Sequence, residues 1–219
     1  MKFSIITLFP DMFNGPFSYS IVHRAIEKKQ ITIDIINLRD FSTDAYKSVD
    51  DRPYGGGAGM VLRVDIIDKA LKSIKKGHTI LLDPSGTPYK QSMAKQLATT
   101  YDHIILLCGH YEGIDERVRS LVDQEISIGD YILTGGEIPA LVVVDSVTRL
   151  LTGVLSKPEA TVHESFTEAL LEYPQYTRPA SYKDQTVPEI LLSGDHKKIA
   201  AWQKAQAIKK TKHTRPDLL

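Results

Sequence analysis

Two hydrophobic periods alternate along the first two-thirds of the chain. Residues 2–9 are a β-rich apolar run, and residues 15–29 can form a helix. Residues 31–38, Ile-Thr-Ile-Asp-Ile-Ile-Asn-Leu, alternate with the period of two expected of a strand. Residues 40–60, with their Asp, Pro and glycines, read as loop. A helix is predicted over residues 64–75, where Ile67, Leu71 and Ile74 fall at i, i+4 and i+7. A strand over 78–82, a helix over 89–99, a strand over 103–108 and a helix over 115–121 follow. Strand then helix, repeated, predicts an α/β domain with a mainly parallel sheet. Leu141, Val144, Val147 and Leu151 share one face of a last helix that can pack on that sheet.

From residue 152 to about 167 no period persists, and the segment reads as a linker. The predicted organisation is a large domain over 1–155, a linker over 156–168 and a small helical domain over 169–219. Residues 173–179 are extended or turned, because a residue before proline avoids the helical region. Asp195 is a fair N-cap for a helix from 196 to about 210. In it Ile199, Trp202, Ala205 and Ile208 recur every three residues as an apolar face. Neither internal repeats nor low-complexity segments are present.

Composition narrows the class. A chain of 219 residues, 42% hydrophobic and 25% charged, is that of a soluble globular protein. The apolar start is too short for a signal peptide, and no stretch approaches a membrane span, so a cytoplasmic protein is expected. The single cysteine, Cys108, lies in an apolar run and reads as a buried, inert thiol rather than a nucleophile. Net charge is zero, yet residues 196–215 hold six lysines and Arg215 with no Asp or Glu. A basic tail on an acidic body is either a solvated helix face or a nucleic-acid contact.

Three glycine-bearing turns follow strand-like runs: Asp83-Pro-Ser-Gly86, Gly109-His-Tyr-Glu-Gly-Ile-Asp-Glu-Arg117 and Ser127-Ile-Gly-Asp-Tyr-Ile-Leu-Thr-Gly-Gly-Glu137. Each alone is an ordinary tight turn. Together, at the carboxyl ends of neighbouring strands, they can enclose a small molecule with backbone groups. The dinucleotide and P-loop fingerprints are absent, since Tyr54-Gly-Gly-Gly-Ala-Gly59 has the wrong spacing and no following lysine. No Cys or His cluster has zinc spacing, and no metal ligand set is assigned.

The second and third turns, with Asp51-Arg-Pro-Tyr-Gly-Gly-Gly-Ala-Gly-Met60, resemble the TrmD family, the tRNA (guanine-37 N1) methyltransferases of bacteria. The resemblance continues through Asp145-Ser-Val-Thr-Arg149, Tyr176-Thr-Arg-Pro179, Leu191-Leu-Ser-Gly194 and Arg215-Pro-Asp-Leu-Leu219, and so covers essentially the whole chain. It implies an α/β fold of the SPOUT type, with a C-terminal trefoil knot that holds S-adenosylmethionine. It implies an obligate homodimer whose active sites draw on both subunits, and a small C-terminal domain that grips tRNA. Carried over by position, the cofactor lies against Leu82, Pro84, Gly109, Tyr111 and Glu112, then Ile128, Gly129, Asp130, Tyr131, Ile132 and Leu133, and finally Gly135, Gly136 and Pro139.

The reaction has two needs. N1 of a neutral guanine carries a proton that a base must take as N1 attacks the methyl carbon. Charge then shifts towards O6, where a cation stabilises it. The resemblance assigns these roles to Glu164 and Arg149. Glu164 departs from the family, which has Asp there, and its reach differs by one methylene. A solvated linker carboxylate and a surface salt bridge are the ordinary readings of the two residues, and His163 is the weaker candidate for the base. Family members can need magnesium; nothing in the sequence locates a site for it, and Glu112 is a weak candidate. The resemblance turns Lys197, Lys198, Lys204, Lys209, Lys210 and Lys212 towards the tRNA backbone. Two other readings stay open: an inactive RNA-binding protein that keeps the fold, and a knotted ribose 2′-O methyltransferase.

Overall fold

The computed structural model describes residues 1–157, 161 and 164–219. They fall into two compact units, Met1–Ser156 and Lys157–Leu219.

In the first unit, strands β1 (Lys2–Thr7), β2 (Thr32–Asn37), β5 (His78–Pro88), β6 (His103–Cys108) and β7 (Gln124–Ser127) form one sheet in the order β2-β1-β6-β5-β7. Every pairing in it is parallel. Strands β3 (Asp50–Asp51) and β4 (Val61–Leu62) make a small antiparallel ladder inside the predicted loop. Helices α1 (Ser20–Glu27), α2 (Val64–Ser73), α3 (Gln91–Thr100) and α4 (Glu137–Thr148) cover the sheet. A parallel sheet covered on both faces needs near-continuous apolar strands, and β1 and β6 are buried at every position but the first. Alternate residues serve opposite faces. Phe3, Ile5, Ile80, Leu82, Ile104, Leu106 and Ile126 pack with Val22 and Ala25 of α1, Ala94 and Leu97 of α3, and Val143 and Val147 of α4. Ile6, Leu81, Ile105 and Leu107 pack with Ile66, Ile67 and Ala70 of α2. Each such side chain contributes about 1.5–3 kcal/mol by leaving water.

Several sequence expectations need correction. The helix expected over 15–29 is a 3-10 turn at Pro16–Ser18 followed by α1, because Tyr19 between them is extended (φ −138°, ψ 161°). The helix expected over 115–121 is 3-10 over Glu116–Leu121. Asp83-Pro-Ser-Gly86 is not a turn after β5 but an excursion within it. Both Leu82 and Thr87 pair with Ile126, so the strand leaves β7 and returns to the same residue. The buried face of α4 runs through Ala140, Val143, Val144 and Val147. Leu141 and Leu151 are only partly buried, and Leu151 lies beyond the helix.

The second unit contains the short ladder of β8 (Ser181–Tyr182) and β9 (Gln185–Thr186), with α5 (Glu189–Leu192) and the long α6 (His196–Thr214). The Asp195 carboxylate accepts from the Lys198 amide at 3.1 Å and caps α6. The segment before residue 174 packs on this helix. The Leu171 amide donates to the buried Thr211 hydroxyl at 2.8 Å, and Lys210 Nζ donates to the Glu172 carbonyl at 3.1 Å. Ala205 is exposed, whereas Ala207 and Thr211 are buried. A three-residue spacing drifts off a stripe that turns every 3.6 residues.

Candidate active site

The carboxyl ends of β6 and β7 and, from β5 between them in the sheet, the excursion that begins at Asp83 border a cavity of about 310 Å³. The chain reverses direction here. From β5 it steps inwards to β6, then passes back over to β7 at the edge. Such a switch point opens a crevice outside the strand ends, and the volume is at the small end of ligand pockets. Leu82, Pro84, Gly109, Tyr111, Glu112, Ile128, Gly129, Tyr131, Ile132, Leu133, Gly135, Gly136 and Pro139 all line it. Asp130 does not. It is exposed at the apex of a tight turn closed by the Tyr131 amide on the Gly129 carbonyl at 3.0 Å. Asp83, His110, Gly113, Ile126, Ser127 and Thr134 also line the cavity. Sequence reasoning passed over them, although each lies in or beside a glycine turn.

Glycine at two positions is a matter of space. A Cβ at Gly136 would stand 2.7 Å from the Cys108 Cα and 2.9 Å from the Gly109 nitrogen. At Gly135 it would meet Glu137 Oε2 at 2.4 Å and His110 Cδ2 at 2.6 Å. The loop after β7 therefore lies directly on the loop after β6. The Gly136 amide donates to the Gly109 carbonyl at 2.8 Å, and His110 and Gly135 form an antiparallel bridge. On the far side the Glu112 amide donates to the Met60 carbonyl at 3.1 Å, which ties the 109–113 loop to the glycine-rich segment before β4.

Charges around the cavity are held in place. Glu137, in the first turn of α4, is 1% exposed and accepts from the Thr7 hydroxyl at 2.7 Å. Burial, with the Glu137 carboxylate nearby, pushes the Cys108 thiol well above its usual range, and Cys108 is buried as its apolar run suggests. Asp83 resists its own desolvation through the Ser85 hydroxyl and amide, at 2.5 and 2.9 Å, and through Arg119 at 3.6 Å. The net effect holds its carboxyl below the ordinary value. Arg119 also pairs with Glu116 and with Glu125 on β7.

Arg149 stands at the C-cap of α4, its amide donating to the Asp145 carbonyl at 3.1 Å, and is not among the residues lining this cavity. Glu164 belongs to the second unit. There it lines a separate cavity with Leu170, Leu171, Ala200, Lys204 and Ala207. His163 lies outside the described residues. All six lysines of α6 are exposed. At 100° per residue, Lys197, Lys198, Lys204, Lys209 and Lys212 fall within an arc of about 140°. One edge of that arc, at Lys204, lies about 20° from the buried Thr211, whereas Lys210, outside the arc, turns back to Glu172. Lys198 also pairs with Asp195 at 3.2 Å.

Among the described residues no group of three His, Cys, Asp or Glu side chains is arranged to hold a metal ion. No described helix is long and apolar enough to cross a membrane.

Fold and cavity together define an open parallel α/β protein with a cavity at a chain reversal. The model of the tRNA (Guanine-1)-methyltransferase TrmD family matches residues 1–219, and the chain belongs to that family. It is 55% identical over 222 residues to a tRNA (guanine-N(1)-)-methyltransferase of Carboxydothermus hydrogenoformans, with 100% of this chain and 87% of the relative covered. Similar relatives of the same name occur in Dictyoglomus turgidum, at 52% identity with 100% and 90% covered, and in Lactiplantibacillus plantarum, at 51% with 100% and 91% covered.

Proposed function

We propose that this chain transfers a methyl group from S-adenosylmethionine to N1 of guanine 37, beside the anticodon of tRNA. One observation carries the reading: the cavity at the ends of β6 and β7 and the β5 excursion is lined by the loops that family resemblance assigns to the cofactor. The residues fit the group. Gly135 and Gly136 leave backbone exposed where a side chain would intrude, and Leu82, Ile128, Leu133 and Pro139 offer apolar cover for a planar ring. Backbone amides and carbonyls of the 109–113 and 128–136 loops would satisfy its polar edge. When bound, the cofactor supplies a methyl group on a sulfonium, an electrophile that needs no covalent enzyme intermediate. In this reading the C-terminal part of the α/β fold is the knotted part.

The protein's own task is the guanine. Glu164 takes the N1 proton as the ring nitrogen becomes a nucleophile, because neutral guanine has no free lone pair there. Arg149 meets the charge that gathers on O6. The α6 lysines bind phosphates and set the position of the anticodon arm without choosing the base. An unstacked guanine in the loop supplies the specificity. A homodimer is part of the reading. Ile138 and Val142, one turn apart on α4, are 45% and 39% exposed, and Ile132 beside the cavity is 84% exposed. Such apolar area suits a second copy of the chain. In this reading the first unit holds the cofactor and Arg149, and the second supplies Glu164 and grips RNA.

Single-turnover methyl transfer tests the assignment of the base. Glu164→Gln keeps size and loses the proton acceptor, so the rate falls by about 10²–10⁴-fold while cofactor binding persists. A Glu164→Gln enzyme as fast as wild type moves the base elsewhere.

A further inference from the structure

We infer that His110 is a positioning residue for the cofactor cavity, acting through a hydrogen bond from the Tyr111 backbone to its imidazole. The inference rests on the cofactor reading above and adds to it a residue that reading leaves without a role. His110 Nδ1 accepts the Tyr111 amide proton at 2.9 Å. Tyr111 lies in the left-handed region, at φ 59°. A bulky aromatic residue rarely adopts that conformation without a compensating contact, and the imidazole supplies one. With Nδ1 accepting, the neutral ring carries its proton on Nε2.

The imidazole is itself held on several sides. The Phe9 ring lies 4.8 Å away, centroid to centroid, and the Tyr111 ring meets it edge-on at 5.0 Å. The Cδ2 edge stands 2.6 Å from where a Gly135 Cβ would be, so the ring occupies the space that Gly135 leaves open. The His110 carbonyl accepts from the Gly113 amide at 3.2 Å, and the His110 backbone bridges to Gly135. One side chain thus fixes the turn that presents Tyr111 and packs against the loop that closes over it. Both loops line the cavity. Ring packing and hydrogen-bond acceptance can be separated. Phenylalanine keeps a ring of similar size and accepts nothing. Asparagine gives up the ring but keeps an acceptor of suitable reach. In this chain the Asp51 carboxylate accepts the next residue's amide, that of Arg52, at 2.7 Å.

The test is titration of the full chain with S-adenosylmethionine, for wild type, His110→Phe and His110→Asn, with a thermal melt of each. The inference expects His110→Phe to bind about tenfold more weakly, the equivalent of one hydrogen bond of about 1.4 kcal/mol. It expects His110→Asn to recover most of that loss, and the deficit to fall on the cofactor KM rather than on kcat. Equal affinity for His110→Phe and wild type overturns it, as does a His110→Asn variant as weak as His110→Phe. A wild-type protein that does not bind S-adenosylmethionine at all overturns the cofactor reading, and the inference with it. If His110→Phe does not fold, a ¹⁵N–¹⁵N coupling across the Tyr111 N–H···Nδ1 bond of the wild type decides. The coupling is expected, and its absence refutes the hydrogen bond.

Discussion

Replacing Gly136 by alanine tests whether the two loops that line the cavity are packed as closely as the structure requires. The added Cβ would stand 2.7, 2.9 and 3.1 Å from the Cys108 Cα, the Gly109 nitrogen and the Cys108 carbonyl carbon. Carbon atoms attract best at about 3.5–4.0 Å, so the worst overlap is roughly 0.8 Å. All three neighbours are backbone, and Cys108 is paired to Leu82 of β5. The end of β6 cannot retreat without loosening the sheet. The start of α4 must lift instead, which stretches the 2.8 Å bond from the Gly136 amide to the Gly109 carbonyl. Overpacking of about 1–3 kcal/mol and the weakening of a bond of about 0.5–1.5 kcal/mol sum to roughly 2–4 kcal/mol. In a protein of this size each kcal/mol shifts Tm by about 2–4 °C, so Gly136→Ala should melt roughly 4–16 °C below wild type. Its affinity for S-adenosylmethionine should fall as well, since the displaced loop lines the cavity. Gly15→Ala is the control, because its Cβ would meet nothing within 4 Å and its φ is −75°. A Gly136→Ala protein that melts and binds like wild type would refute the packing argument.

Three further expectations follow from the same geometry. Native Cys108 should resist a thiol reagent at pH 8 and react once the protein is unfolded, because burial raises its pKa and hides the sulfur; rapid labelling of the native chain would contradict this. Asp115 is held at about 2, first by the Arg117 side chain that donates to it, against an ordinary 3.8. A depressed carboxylate stabilises the fold above its unfolded pKa and ceases to do so as pH falls through the folded one. Stability attributable to Asp115 should thus fade between about pH 4 and 2, and Asp115→Asn should flatten that part of the curve; an unchanged acid limb would exclude the pair as a contributor. Exchanging Lys197, Lys209 and Lys212 for glutamine should weaken tRNA binding and make its salt dependence shallower by about 2–3 units of log K per log salt. An unaltered slope would exclude that face of α6 from the RNA.

The parallel sheet was legible because its central strands are continuous apolar runs with sharp ends. Asp102 and Gly109 bound β6, and the run between them is the strand found. The edge strand β7 was not singled out as a strand. It has four residues, three of them polar, and only Ile126 and Ser127 are buried. Periodicity placed Val144 and Val147 in the core correctly but chose Leu141 and Leu151 over Ala140 and Val143, because the buried stripe of α4 is set by the sheet beneath it. The excursion at Asp83–Gly86 looks like a turn in sequence because glycine and proline mark both. A Gly86 Cβ would stand 2.5 Å from the Ile126 amide nitrogen, so this glycine answers to β7, which is distant in the chain. The site shows the same division. Glycine turns at the ends of β6 and β7 could be read from spacing, but the choice of residues within them came from family resemblance. His110 and Thr134 went unselected because their part depends on which loops meet across the sheet edge.

The reaction itself is most directly tested by incubating the protein and S-adenosylmethionine with two tRNA transcripts, one with guanine and one with adenine at position 37, and digesting the products to nucleosides. The account predicts 1-methylguanosine from the first transcript, at position 37, and no methylated nucleoside from the second. A methylated ribose, methylation at another position, or no product from a protein that binds both cofactor and tRNA would contradict it.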